Sequence, residues 1–285
     1  MVILQTWPRM VGILRRLISV LQMIVRFSMD NFRFLYIDFL RSLRSAYLWV
    51  FFSINIALVI LTALSNWLLV SQGGVSHESV SKAIVSMPVS TITIFIPAVG
   101  IMFISRDFVS GYILRATLLL GDWRRFFFLR AIEAVVLSAL FVLAICVLSV
   151  LFSSVFLAFA GYPVAKAFSS DLFLSLLSCI PVSSVVGLMA YFLGWALRGA
   201  VVFMSVYFPY VFVADPVLSL LIPNFVWFSY PGAVTRATNF FPTTPGEHAL
   251  SGYTSPYIGF SVVLAYCAVA FLLAYFRNTR RGGIL

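Results

Sequence analysis

Acidic side chains are scarce in this chain of 285 residues: Asp and Glu number 9 against 19 Lys and Arg, and charged residues make up only 10%. Soluble domains carry about 25% charged residues. This shortage, with 62% hydrophobic residues and a mean hydropathy of +1.06, excludes a soluble globular domain and predicts an all-α integral membrane protein. Cysteine is rare too. Cys146, Cys179 and Cys267 each sit inside an apolar run, without CxxC spacing or a Cys/His cluster, and read as packing residues. Lysine occurs only at Lys82 and Lys166, neither within a GxxxxGK[ST] pattern. A P-loop needs that lysine and those glycines to wrap phosphates, so the chain is expected to hydrolyse no nucleotide by that route. His77 and His248 stand alone, and the His77-Glu78 pair offers too few ligands for a metal. No catalytic, cofactor-binding or metal-binding residue is expected.

Ionisable residues are also nearly missing from the apolar runs. Glu133 lies a turn inside the third run, spaced to pair with Arg130, and Asp215 is expected to cap the outer end of the fifth. Transport driven by protons or sodium ordinarily uses carboxylates near the bilayer midplane. Energy for any transport is therefore expected from another chain.

What the sequence does have is long apolar runs. A helix of roughly 20 residues crosses about 30 Å of hydrocarbon, and Ala46 to Val70, Val85 to Ile104, Ala131 to Phe152, Leu172 to Leu197 and Tyr257 to Phe276 all qualify. Gly199 to Ala214 is shorter, about 24 Å at 1.5 Å per residue, and Asp215-Pro216 is expected to interrupt it. Val217 to Tyr230 contains Pro223 and reads as a re-entrant or interfacial piece. Leu17 to Val25 is apolar, but Arg15, Arg16 and Arg26 break it and no small-residue cleavage site follows, so the N-terminus is expected to be retained.

Six spans with both termini inside leave only Lys82, Lys166 and Arg236 of the 19 basic residues on the outer side. That asymmetry follows the positive-inside rule, and the net charge of +10 then serves orientation and anionic lipid, not nucleic acid. Residues 1–45 form an N-terminal interfacial region and 46–285 the six-helix transmembrane domain. Within the former, Phe32, Leu35, Phe39 and Leu43 recur at helical spacing while Arg26, Asp30, Arg33, Arg41 and Arg44 line another face. An amphipathic helix along the inner surface is expected. A second such stretch is expected upstream, where Ile13, Leu17, Leu21 and Ile24 face away from Arg15, Ser19, Gln22 and Arg26. On the outer side, Asp215 to Pro256 is long and rich in proline and aromatics; its aromatic content predicts ordered structure against the membrane.

The connection between the second and third spans is the most distinctive stretch: SRDFVSGYILRATLLLGDWRR, residues 105–125. An acidic residue (Asp107), a glycine four positions on (Gly111), a leucine-rich turn (Leu118 to Leu120), and Gly121-Asp122-Trp123-Arg124-Arg125 precede the third span, with Arg130 at its start. This pattern resembles the same connection in permease subunits of ATP-binding-cassette transporters of the type 2 exporter class. Asp122 departs from it, since a small hydroxyl residue is commoner there. The layout also fits along the chain: an amphipathic helix before span one (Arg33 to Arg44, with Phe39 and Arg41), an outer helical hairpin at 215–256, and the basic tail FRNTRR.

The resemblance implies a coupling helix within Asp107 to Leu120 that sits in a cleft of a separate ATPase subunit. Asp107 near the helix N-terminus would suit the dipole. Phe108, Tyr112 and Leu119 would be anchors near one face, Gly111 would permit close approach, and Arg106, Arg115, Arg124 and Arg125 would meet acidic groups, with Gly121 opening the element that precedes the third span. ATP and Mg would reside on the partner, and a second copy or a paralogue would complete the pathway. A prokaryotic plasma membrane location is implied. The cargo expected from 29 phenylalanines is hydrophobic or amphipathic: a peptide, an antibiotic or a lipid. The alternatives are a membrane-embedded enzyme acting on lipid, or a non-transporting scaffold or sensor subunit.

Overall fold

A computed structural model describes residues 33–72, 76–120, 123–222, 225–241 and 255–280. The expected upstream interfacial stretch, Phe32, Gly121, Asp122, His248 and the end of the basic tail lie outside the described residues. Chain contacts divide the protein into Met1–Arg44 and Ser45–Leu285. In the first unit, residues 33–43 form helix α1. Arg41 pairs with Asp38 at 3.4 Å, Arg33 and Arg44 are exposed, and Phe39 is half-buried. The covered positions are Asp38 and Ser42, while Tyr36 and Ile37 stand exposed, so the expected Leu35–Phe39–Leu43 stripe is not the most covered face.

The second unit is helical, with no strand among the described residues. Its helices are α2 (Ala46–Ser71), α3 (His77–Val109), α4 (Tyr112–Leu120), α5 (Trp123–Phe159), the short α6 (Val164–Ala167), α7 (Ser170–Leu197), α8 (Ala200–Leu221), α9 (Tyr230–Ala237) and α10 (Pro256–Arg280). Six of them, α2, α3, α5, α7, α8 and α10, are long and apolar enough to cross a bilayer. This is the architecture of a multi-pass membrane protein.

Capping sets several boundaries. The Ser76 hydroxyl accepts from the Ser79 N–H at 3.2 Å, which starts α3 earlier than Val85. Ser169 does the same for Leu172 at 3.2 Å at the start of α7. α7 ends where Arg198 turns left-handed at φ 55. α7 packs against α3, α5 and α10, with Tyr191 and Trp195 fully buried. A Cβ at Gly187 would lie 1.9 Å from Ser138 Oγ, so only glycine lets α5 and α7 meet there.

Two helices contain π turns beside prolines, and their freed carbonyls explain much of the packing. In α3 the π turn Thr91–Phe95 sends the Ile96 N–H to Thr91 O, five positions back, bypassing Ile92 O. Pro97 has no N–H to give Thr93 O. Tyrosines supply both missing donors: the Tyr207 hydroxyl of α8 donates to Thr93 O, and the Tyr230 hydroxyl of α9 donates to Ile92 O at 3.4 Å. In hydrocarbon no water relieves an orphaned carbonyl, so these bonds fix where α8 and α9 dock.

α8 corrects the expected break at Asp215-Pro216. Its π turn Tyr210–Ala214 closes with the Asp215 N–H on Tyr210 O, and Pro216 occupies the first turn of the continuing helix, where a missing N–H costs least. The helix runs on to Leu221, so Asp215 is an interior residue, not an end cap, and Val217 to Leu221 belongs to the span. The chain then folds back. Ser229 caps α9, accepting from the Gly232 N–H at 3.0 Å, and the Tyr266 hydroxyl donates to Phe228 O at 2.7 Å. Tyr266 lies about 15 Å along α10 from Pro256 at 1.5 Å per residue, so the start of α9 sits beside the interior of that span.

Candidate functional site

The α3–α4 connection is a tight hairpin at the end of the bundle that also holds Ser45, Arg198 and Asn278. α3 ends at Val109, and Gly111 makes the turn at φ 65, a conformation that costs an ordinary residue about 1 kcal/mol or more. α4 follows after this break, so positions before and after it do not share one helical phase.

Asp107 shows the consequence. It lies in the last turn of α3, 2% exposed, and not at the start of a partner-binding helix. Arg130 Nη2 donates to Asp107 Oδ2 while Nη1 donates to Glu133 Oε2. One guanidinium thus joins α3 to the first turns of α5. The Arg130 guanidinium also stands 5.8 Å from the Tyr112 ring, bringing α4 into the same junction. The Arg130–Glu133 pairing agrees with its i, i+3 spacing; the third member comes from another helix.

An aromatic cluster seals this junction. Phe108 and Phe126 both pack edge-on against Trp195, at 5.2 and 6.3 Å between centroids, and Tyr112 meets Phe126 at 6.2 Å. The Arg198 guanidinium lies 5.5 Å over the Phe108 ring, and its Nη2 donates to Asn278 Oδ1 at 2.9 Å. Ser105 Oγ accepts from the Ala200 N–H at 3.1 Å, capping α8. Arg106 Nη1 reaches Ser45 Oγ at 3.4 Å. The spans α3, α5, α7 and α10 therefore contribute side chains to this end, α8 contributes the backbone N–H of Ala200, and α2 is reached through Ser45 at its cap.

Phe108 and Tyr112 face inward, so they are not anchors on the same face as Leu119; the break at Ser110-Gly111 separates them. On α4, Ile113 and Ala116 are buried, whereas Leu114, Arg115, Leu118 and Leu119 point outward, the last two 75% and 84% exposed. Arg124 is exposed and lies 5.9 Å over the Trp123 ring, and Arg125 is half-buried. Arg106 is exposed as well. The outward face is thus leucines bordered by arginines, an amphipathic surface backed by a rigid polar lock. The six-span count puts Arg198 and Asn278 on the same side as this connection, but no motif pointed to their contacts or to Trp195. No family model, curated protein sequence or solved structure matches the chain.

Proposed function

We propose that this chain is the membrane-spanning permease subunit of an ATP-driven exporter, related to the type 2 class of ATP-binding-cassette exporters, with α4 as its coupling helix. The observation that carries this reading is the α4 surface: Leu114, Leu118 and Leu119 point outward beside Arg115, while the rest of the hairpin is fastened to α3, α5 and α7 by the Asp107–Arg130–Glu133 junction and the Trp195 cluster. An element that transmits force needs an outward contact face and a stiff inward attachment, and α4 has both.

On this reading the arginine-rich end is cytoplasmic, α1 lies along the inner leaflet, and α9 is a re-entrant helix of the outer hairpin. The separate ATPase subunit carries ATP and Mg, and a second copy or a paralogue completes the pathway. The cell is prokaryotic and the membrane its plasma membrane. The enzyme alternative is disfavoured by chemistry: among the described residues the carboxylates that converge, Asp107 and Glu133, are both engaged by Arg130 and buried, out of reach of a substrate. A second reading, α4 as a lipid-facing interfacial helix with snorkelling arginines, is favoured by the same leucines, since such a helix also exposes apolar side chains beside arginines.

Isolation of the complex from native membranes separates these readings. The wild-type chain should carry an ATP-hydrolysing subunit, and Leu118→Asp with Leu119→Asp, or Arg115→Glu, should release it or abolish membrane-dependent ATP turnover at unchanged thermal stability. A chain that isolates with no ATP-hydrolysing subunit, and whose α4 variants alter only retained lipid, overturns the proposal.

A further inference from the structure

A second polar concentration surrounds Asp215, away from the α3–α4 hairpin. Asp215 is 8% exposed, and its Oδ1 has no hydrogen-bond partner. Among the described residues it forms no ion pair. An intramembrane carboxylate is costly, and one that keeps an oxygen unmatched is by default a candidate ligand or ion site.

The described surroundings are aromatic and contain hydroxyls, and no ion pair with a described cation is made there. The π turn stacks Asp215 over Tyr210, because its N–H bonds to Tyr210 O five positions back. The Tyr210 and Ser229 side chains and, on α10, Tyr266 are near enough to interact electrostatically with the carboxylate, and the Tyr266 hydroxyl is placed beside Ser229 by its bond to Phe228 O. Tyr230 extends this group, with ring centroids 6.1 Å from Tyr266 and 6.1 Å from Tyr207. Arg236, further along α9, turns elsewhere: its Nε donates to Gly232 O at 3.2 Å and its Nη2 to Val226 O at 2.8 Å. Tyr266 is 37% exposed and Tyr210 half-buried, so the site is open on the side where α8 and α10 present these two rings. Ser229, which caps α9, places the positive end of that helix beside the carboxylate and offsets part of its burial while the site is empty.

We infer that Asp215, with the rings of Tyr210 and Tyr266, binds the ammonium group of an amphipathic amine or quaternary ammonium ligand whose apolar part remains in the bilayer. A carboxylate with aromatic rings close by suits a weakly hydrated organic cation. A hard metal ion takes six or more oxygen ligands, and no group of three His, Cys, Asp or Glu gathers among the described residues. This site rests on α8, α9 and α10 alone and stands whether or not α4 engages an ATPase.

The test uses the full chain in dodecylmaltoside, which contains no ammonium group, with radiolabelled dodecyltrimethylammonium as the probe. Binding should saturate, and dodecylammonium should displace the probe while uncharged dodecanol does not. Asp215→Asn should weaken binding at least tenfold, Tyr266→Leu several-fold, and Tyr266→Phe, which keeps the ring, much less. Adding phosphatidylcholine distinguishes the source: competition identifies a lipid headgroup, and its absence a mobile amphiphile. Equal displacement by dodecanol, displacement by sodium or calcium but not dodecylammonium, or wild-type affinity in Asp215→Asn overturns the assignment. Should Asp215→Asn fail to fold, the competition series on the wild-type chain and the Tyr266 pair decide the matter.

Discussion

Replacing Arg130 by methionine tests the junction on which the α3–α4 hairpin depends. The guanidinium matches two carboxylates, Asp107 and Glu133, each with a side chain 2% exposed. Removing one partner of a buried ion pair costs about 3–5 kcal/mol, chiefly because the remaining charge is left unmatched. Here two like charges remain on adjacent helices, so the loss should reach the upper part of that range. At about 2–4 °C per kcal/mol for a chain of this size class, Arg130→Met should lower the unfolding temperature by on the order of 10 °C. The triple variant Asp107→Asn, Arg130→Met, Glu133→Gln removes the unmatched charges as well, and should recover most of the loss. Tryptophan fluorescence during heating in detergent is a suitable readout, since Trp195 is fully buried beside Phe108, Phe126 and Phe127. If the single variant is no less stable than the triple, the carboxylates are not held by Arg130 and the account of the hairpin's stiffness fails.

Three further outcomes follow from the same structure. Tyr207→Phe leaves Thr93 O without its donor and should cost about 1–3 kcal/mol; in a Pro97→Ala background the restored N–H can serve that carbonyl, so the cost should shrink, and a double-mutant cycle showing no coupling would contradict the assignment. Gly111→Ala should destabilise by about 1 kcal/mol through its positive φ, with Gly111→Asn milder, as measured by thermal unfolding; equal stability of glycine and alanine variants would remove the turn from the argument. Leu119→Cys, 84% exposed in the leucine it replaces, should react with a membrane-impermeant maleimide in inside-out vesicles only, while the native cysteines stay protected by burial; labelling in intact cells would reverse the orientation.

How much was legible beforehand depended on how local the physics is. The spans could be read directly, because hydrocarbon thickness demands a continuous apolar run wherever the chain crosses, and Ala46–Ser71 agrees with the run almost to the residue. The Arg130–Glu133 pair was legible for the same reason, both partners lying on one helix face. The phase of the α3–α4 hairpin was not: helical spacing carried from Phe108 to Leu119 assumes an unbroken helix, and the positive φ at Gly111 resets it. Pro216 misled in the opposite direction, since a π turn just upstream lets a proline begin the next helical segment instead of ending the span.

By itself, then, the sequence determined the helical class, the number of spans and the lopsided placement of basic residues, all properties summed along a single segment. Only the tertiary structure decided that Asp107 crosses to Arg130, that Tyr207 and Tyr230 satisfy the carbonyls left open in α3, and that Asp215 lies near Tyr266 of α10. Those contacts join residues far apart in the chain, and their partners are selected by which polar groups remain unmatched once the helices have packed.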